Sequence, residues 1–155
     1  MNSALSFAAA LLTAFLTVLS TPAAHAAEEA GEAPELPLMD AAEVTLSQFK
    51  WENRLIVVFA DSPLDPRFKE QMSYLRGDVP ALLIRDVVVV TDTSPEAESP
   101  LRQELHPRDF ALVLIGKDGQ VKLRKPVPWD MREISRSIDK WPIRQQEIRE
   151  ELGKE

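Results

Sequence analysis

Apolar and polar positions alternate with three different periods along this chain, and each period predicts a different element. Two continuous apolar runs with β-branched centres, Leu55-Ile-Val-Val-Phe-Ala60 and Val87-Val-Val-Val-Thr91, predict strands buried on both faces. The first is closed by Asp61-Ser62-Pro63. Phe68, Met72 and Leu75 then recur at i, i+4 and i+7. That spacing predicts an amphipathic helix with Asp65 as N-cap, Pro66 in its first position and Gly77 at its end. Strand, helix and strand in this order imply a parallel pair joined by a crossover. Ser99-Pro100 repeats the cap-and-proline signal for a short helix to about Leu105. Phe110-Ala-Leu-Val-Leu-Ile115 and the alternating Val121-Lys-Leu-Arg124, separated by Gly116-Lys-Asp-Gly119, predict a β-hairpin in which Val121 and Leu123 face inward. Asp130 caps a last core helix with the apolar stripe Met131, Ile134, Ile138 and Trp141.

The two ends of the chain read differently. Ala4 to Ser20 is apolar, the first charged side chain is Glu28, and Ala24 and Ala26 form an A-x-A site. Residues 1–26 are therefore expected to be a signal peptide cut after Ala26, so that the protein is periplasmic or secreted with no membrane span after cleavage. Residues 27–45 are acidic, carry Pro34 and Pro37 and show no apolar period. They read as a flexible lead-in. Residues 46–141 make the domain, and 142–155 a charged helix whose Ile143, Ile148 and Leu152 are free to dock on the domain or on a partner.

Composition then removes functions. The formal charge of -7 argues against nucleic acid, which is bound by clustered Lys and Arg on a net-basic surface. The sequence has no Cys, so disulfides, thiol nucleophiles and peroxidatic chemistry are excluded. His106 is the one histidine after the expected cleavage site, too little for a transition-metal site, and beside Pro107 it reads as a helix end. No Ser has a G-x-S-x-G context. No cofactor and no metal is expected.

The predicted order, strand, helix, strand, helix, hairpin, helix, is that of an α/β thioredoxin-like fold with a central mixed sheet flanked by helices. Four short segments carry a family resemblance: Trp51-Glu-Asn-Arg54, Arg85-Asp86, Gly116-Lys-Asp-Gly119, and Ile138-Asp-Lys-Trp-Pro-Ile-Arg144 with Glu147 beyond. Together they resemble the domain of unknown function 4174 family over about Leu46 to Glu150. The resemblance implies a short exported bacterial protein, related to the DUDES group of extracellular-matrix proteins, with a thioredoxin-like fold and no assigned activity.

Where a redox thioredoxin carries its cysteine pair, this chain has Asp61-Ser-Pro-Leu-Asp-Pro66, which cannot exchange thiols. The facing cis-proline position falls near Asp109 to Ala111, with Pro107 too early. Two function classes follow. One is a non-catalytic module that binds an unknown protein or envelope component. The alternative is an enzyme of unrecognised type using Asp61 and Asp65, with Arg54 or Arg85, at the carboxyl end of the parallel strands. Asp65 as a cap and Asp61 as a turn residue need no ligand, and a Ca²⁺ site there needs Asp92 and Asp118 alongside. Lys122 and Arg124 are expected to face outward on an edge strand, and Trp51, Trp129 and Trp141 to pack in or beside the core.

Overall fold

A computed structural model describes residues 33–153, so the leader expected over 1–26 lies outside the described residues. Five strands form one sheet in the order β1-β3-β2-β4-β5: β1 Leu38–Asp40, β2 Arg54–Phe59, β3 Val87–Asp92, β4 Ala111–Ile115 and β5 Val121–Lys125. β2 lies parallel to β3 and antiparallel to β4. The sheet is therefore mixed, and the fold is the thioredoxin-like one that the element order predicts.

The central strand explains the two-layer core. All six residues of β2 are buried, and successive side chains of a strand point to opposite faces. Ile56 and Val58 join Val89, Leu112 and Leu114 under α1 (Pro66–Gly77), α2 (Val79–Leu83) and α4 (Met131–Asp139). Leu55, Val57 and Phe59 join Val90, Val113 and Ile115 under Leu46 and Phe49 of a 3-10 turn and Leu101 and Leu105 of α3 (Pro100–Leu105). The β-branched run is thus what a strand covered on both faces requires.

Helix starts follow the cap chemistry. Asp65, Ser99 and Asp130 each accept a first-turn N–H, from Arg67, Arg102 and Glu133 respectively. His106 ends α3 in the left-handed region at φ 46°. α2, capped by Asp78, has no periodic signal because it is only five residues long. Gln71, on the predicted apolar face of α1, is buried and holds Trp129 by two bonds, Nε2 to the Trp129 carbonyl at 3.0 Å and Oε1 from its N–H at 2.8 Å.

Three expectations are corrected, and one open alternative is decided. The lead-in expected over 27–45 ends in an edge strand: β1 pairs with β3, and Ala41 and Val44 beyond it are buried. Pro37 does not prevent this, because its carbonyl is the group that pairs, accepting from Val89 N–H at 2.8 Å. Trp51 is 63 % exposed, not packed, and sits at φ 70°. Val121 is exposed rather than inward, because a register shift at Leu114/Ile115 interrupts the alternation of β5. The tail helix, α5 (Pro142–Leu152), docks on its own domain through polar groups: Arg144 is its buried residue, while Leu152 is 68 % exposed.

Candidate functional site

The loop after β2 stands where a thioredoxin-like fold presents its chemistry. Its Asp65 carboxylate accepts from Arg67 three times, from the backbone N–H at 2.8 Å, Nε at 3.2 Å and Nη2 at 2.8 Å. The Arg67 side chain chiefly holds the Asp65 carboxyl below the usual carboxylate range. Asp65 is therefore engaged as cap and ion-pair partner. Asp61 beside it is exposed. Across the loop, Ala111 pairs with Phe59, so Asp109, at φ 46°, and Phe110 occupy the facing position. Arg67 lies 5.6 Å from the Phe110 ring centroid.

A second group at this end joins Asp92 and Ser99 in a way the sequence does not show. Asp92 closes β3, is 5 % exposed, and takes Arg102 on both oxygens, Nη2 to Oδ1 at 2.8 Å and Nε to Oδ2 at 3.2 Å. Ser99 Oγ donates to Oδ2 at 2.5 Å. Burial pushes the Asp92 carboxyl up, but the bonds from Arg102 and Ser99 outweigh it and leave it lowered. Arg102 also reaches the Ala60 carbonyl at 3.2 Å. The cluster ties the ends of β2 and β3 to α3. A cleft of about 360 Å³ opens beside it, bounded by Asp40, Glu43, Asp92 and Ser94 among others. Among the described residues no three His, Cys, Asp or Glu gather to hold a metal ion. Asp118 lies in the β4–β5 turn at the other end of the sheet, so the oxygens a Ca²⁺ site would need are dispersed.

Arg54 and Arg85 are not at this end. Arg54 opens β2 and Arg85 precedes β3, which puts them at the amino end, roughly 20 Å along the strand from Asp61. The four candidates thus form two separate pairs, and the expected convergence at the carboxyl end is corrected. The reason is positional: a residue before a strand lies at its start, whatever its chemistry.

At the amino end Arg54 meets partners that sequence spacing does not connect. Its Nη1 donates to the Arg85 carbonyl at 2.9 Å and its Nη2 to Glu147 Oε2 at 2.9 Å. Glu147 Oε1 takes Lys117 Nζ at 3.0 Å, and Lys117 also donates to Asp86 Oδ2 at 2.8 Å. Arg85 grips Asp139 with two parallel bonds, 2.9 and 2.7 Å, the geometry that makes Arg-carboxylate pairs strong. Arg144 adds Nη1 to Glu147 at 3.3 Å. Burial opposes the charges of Lys117 and Glu147 most, yet their mutual bond and those from Asp86 and Arg54 prevail. The lysine is held above its ordinary value and the carboxyl below.

This network is where the four segments behind the family resemblance meet: Arg54 from the first, Arg85 and Asp86 from the second, Lys117 from the third, Asp139, Arg144 and Glu147 from the fourth. Trp51 N–H donates to the Lys117 carbonyl at 2.6 Å, so the exposed tryptophan stands beside it. The signal available in the sequence was their joint occurrence, not any one spacing.

Comparison with known proteins agrees with the fold. The chain is similar to the reduced 2-Cys peroxiredoxin of Plasmodium vivax, with TM-score 0.53 at 18 % identity over 67 % of this chain and 85 % of that one. Chloroplastic thioredoxin z gives TM-score 0.52 at 18 % identity, over 69 % and 94 %. At that identity the likeness is one of fold alone. Among curated proteins the chain is 29 % identical over 140 residues to coiled-coil domain-containing protein 80 of Danio rerio, covering 70 % of this chain but only 16 % of that protein's length. Residues 45–147 match the domain of unknown function family DUF4174, and with two thirds of its length inside that match the chain belongs to this family.

Proposed function

We propose that this protein is a non-catalytic thioredoxin-like module of the cell envelope, exported by residues 1–26, that binds a protein or envelope component. The observation that carries the reading is the state of the loop from Asp61 to Pro66. The fold's customary reaction site has no thiol, its Asp65 carboxylate is engaged by Arg67, and its facing position holds Asp109 and Phe110 instead of proline. The carboxylate at the end of β3 is likewise closed by Arg102 and Ser99. What remains accessible is surface, including Leu64 at 70 % exposure in the same loop and Trp51 at the opposite end. Exposed apolar side chains beside fixed charges suit recognition.

The test has two arms. Residues 1–26 fused to an alkaline phosphatase that is active only after export are expected to give phosphatase activity, and an inactive fusion would refute the address. The purified protein is expected to turn over no substrate in a broad hydrolase, isomerase and transferase panel. Turnover that Asp61→Asn and Asp65→Asn abolish would refute the non-catalytic reading.

A further inference from the structure

At the carboxyl end of the sheet, on its outer corner, a cleft of about 180 Å³ is bounded by His106, Arg108, Phe110, Arg124, Lys125 and Pro126 among others. No carboxylate stands in that wall. At the amino end Arg85, Lys117 and Arg144 each meet an acidic side chain, whereas among the described residues Arg108, Arg124 and Lys125 pair with none. Asp109, next to Arg108 in sequence, acts on Arg67 instead. Two of the three cations are steadied by uncharged groups: Arg124 Nη1 donates to the Leu105 carbonyl at 2.7 Å, and Lys125 Nζ lies 4.6 Å from the Trp129 ring centroid. Most of the Arg124 donor fork therefore remains unused. In a chain of formal charge -7 carboxylates are plentiful, yet this group of cations has none. The cleft also adjoins an open sheet border. β5 is the last strand and pairs only with β4, and its outward N–H and C=O groups have no backbone partner among the described residues.

We infer that this corner binds an acidic peptide: an extended segment of a partner protein adds to β5 through main-chain hydrogen bonds and sets a Glu or Asp carboxylate among Arg108, Arg124 and Lys125. The border alone would accept any strand, a second copy of β5 included. That copy would set Lys122, Arg124 and Lys125 against their own kind, so the cations reject it and select an acidic segment. The cleft has the volume of about six waters, which is room for a carboxylate side chain. A sulfated or phosphorylated sugar polymer meets the same charges, but it has no N–H and C=O groups spaced to use the border. The inference rests on the reading of this protein as a binding module, and it names the surface and the chemistry of the partner.

Fluorescence anisotropy of a labelled peptide alternating Glu and Val, added to the purified protein at pH 7 and constant ionic strength, tests it. Saturable binding is expected, and its loss when Gln replaces every Glu or when N-methylation removes the amide hydrogens that would meet the border. Arg124→Gln and Arg108→Gln are each expected to weaken binding roughly tenfold, the worth of one charge-assisted bond. Lys140→Gln, the same charge change at an exposed position after α4, is expected to leave it unchanged. Arg108 and its neighbours share no side-chain hydrogen bond or ion pair, so that variant remains informative if Arg124→Gln, which loses the Leu105 contact, fails to fold. The inference would be overturned by no saturable binding, by equal losses in Arg108→Gln and Lys140→Gln, by an N-methylated peptide that binds as well, or by dextran sulfate that binds as tightly as the peptide. Absence of peptide binding without any turnover would remove this surface alone, while turnover with peptide binding intact would remove the non-catalytic reading alone.

Discussion

Glu147→Gln perturbs the joint that holds the last helix to the sheet. The carboxylate receives Arg54 at 2.9 Å, Lys117 at 3.0 Å and Arg144 at 3.3 Å. A glutamine keeps the shape but turns an NH₂ toward one of these donors and removes the charge that balances them. Breaking a fully buried pair from one side costs about 3–5 kcal/mol. Here Arg54 is 1 % exposed but Glu147 is 21 % exposed, so water partly replaces the lost partner and the expected cost falls to about 2–3 kcal/mol, within the range for bonds to charged groups. Urea unfolding followed by circular dichroism measures it. With a slope of about 1–3 kcal/mol/M for a domain of this size, the midpoint is expected to drop by about 1 M or more at unchanged slope. Leu152→Ala on the same helix, at an exposed position, is expected to stay within about 0.5 kcal/mol of the parent. If Glu147→Gln cost no more than Leu152→Ala, α5 would not be held by this network and the description of the amino end would be wrong.

Asp92→Asn should be the more damaging change at the carboxyl end, by about 3 kcal/mol in the same assay, since it leaves Arg102 without its two-point partner in a buried setting; a loss below about 1 kcal/mol would contradict this. Asp65→Ala removes a cap and should cost about 0.5–2 kcal/mol, and a neutral result would mean the Arg67 N–H bond contributes nothing. Acid should destabilise the fold through Glu147, Asp92 and Asp118, whose carboxyls are all lowered by their cationic or hydroxyl partners against opposing burial. A lowered folded value stabilises above the unfolded one and is lost as pH falls through it, so the urea midpoint should be level near neutrality and decline below about pH 4. A midpoint that rose on acidification would refute the sign.

Much of the fold was legible because local chemistry and global burial agree. The β2 and β3 runs need cover on both faces and receive it, and Asp65, Ser99 and Asp130 cap the helices their spacing predicts. β1 was not legible, since three exposed residues directly after Pro37 carry no period and their pairing depends on an edge offered by β3. The amino-end network was hidden for a related reason. Arg54 and Glu147 are 93 positions apart, and what joins them is the packing of a helix that by its own apolar residues gives no docking face. Asp92 entered the sequence reading only as a further oxygen for a Ca²⁺ site, and its pairing stayed hidden because Arg102 lies on a helix whose sequence shows only a cap and a proline. The candidate residues Asp61 and Asp65 were correctly placed on the loop after the first predicted strand, whereas Arg54 and Arg85 were assigned to the wrong end of the sheet.

If the carboxyl end of the sheet lacks the groove of a thioredoxin as well as its thiols, the double variant Ser62→Cys with Asp65→Cys shows it most directly. Fast dithiol exchange needs an attacking thiol of lowered pKa at the helix start and a facing cis-proline that shapes the substrate groove. In the variant Asp61 and Asp109 remain, both close enough to act on Arg67, and they offset that cation while raising a neighbouring thiol's pKa. Asp109 and Phe110 still occupy the facing position. Insulin reduction by the variant is expected to stay close to the uncatalysed background even when its disulfide forms, and a rate approaching that of a true thioredoxin would mean that the groove is present.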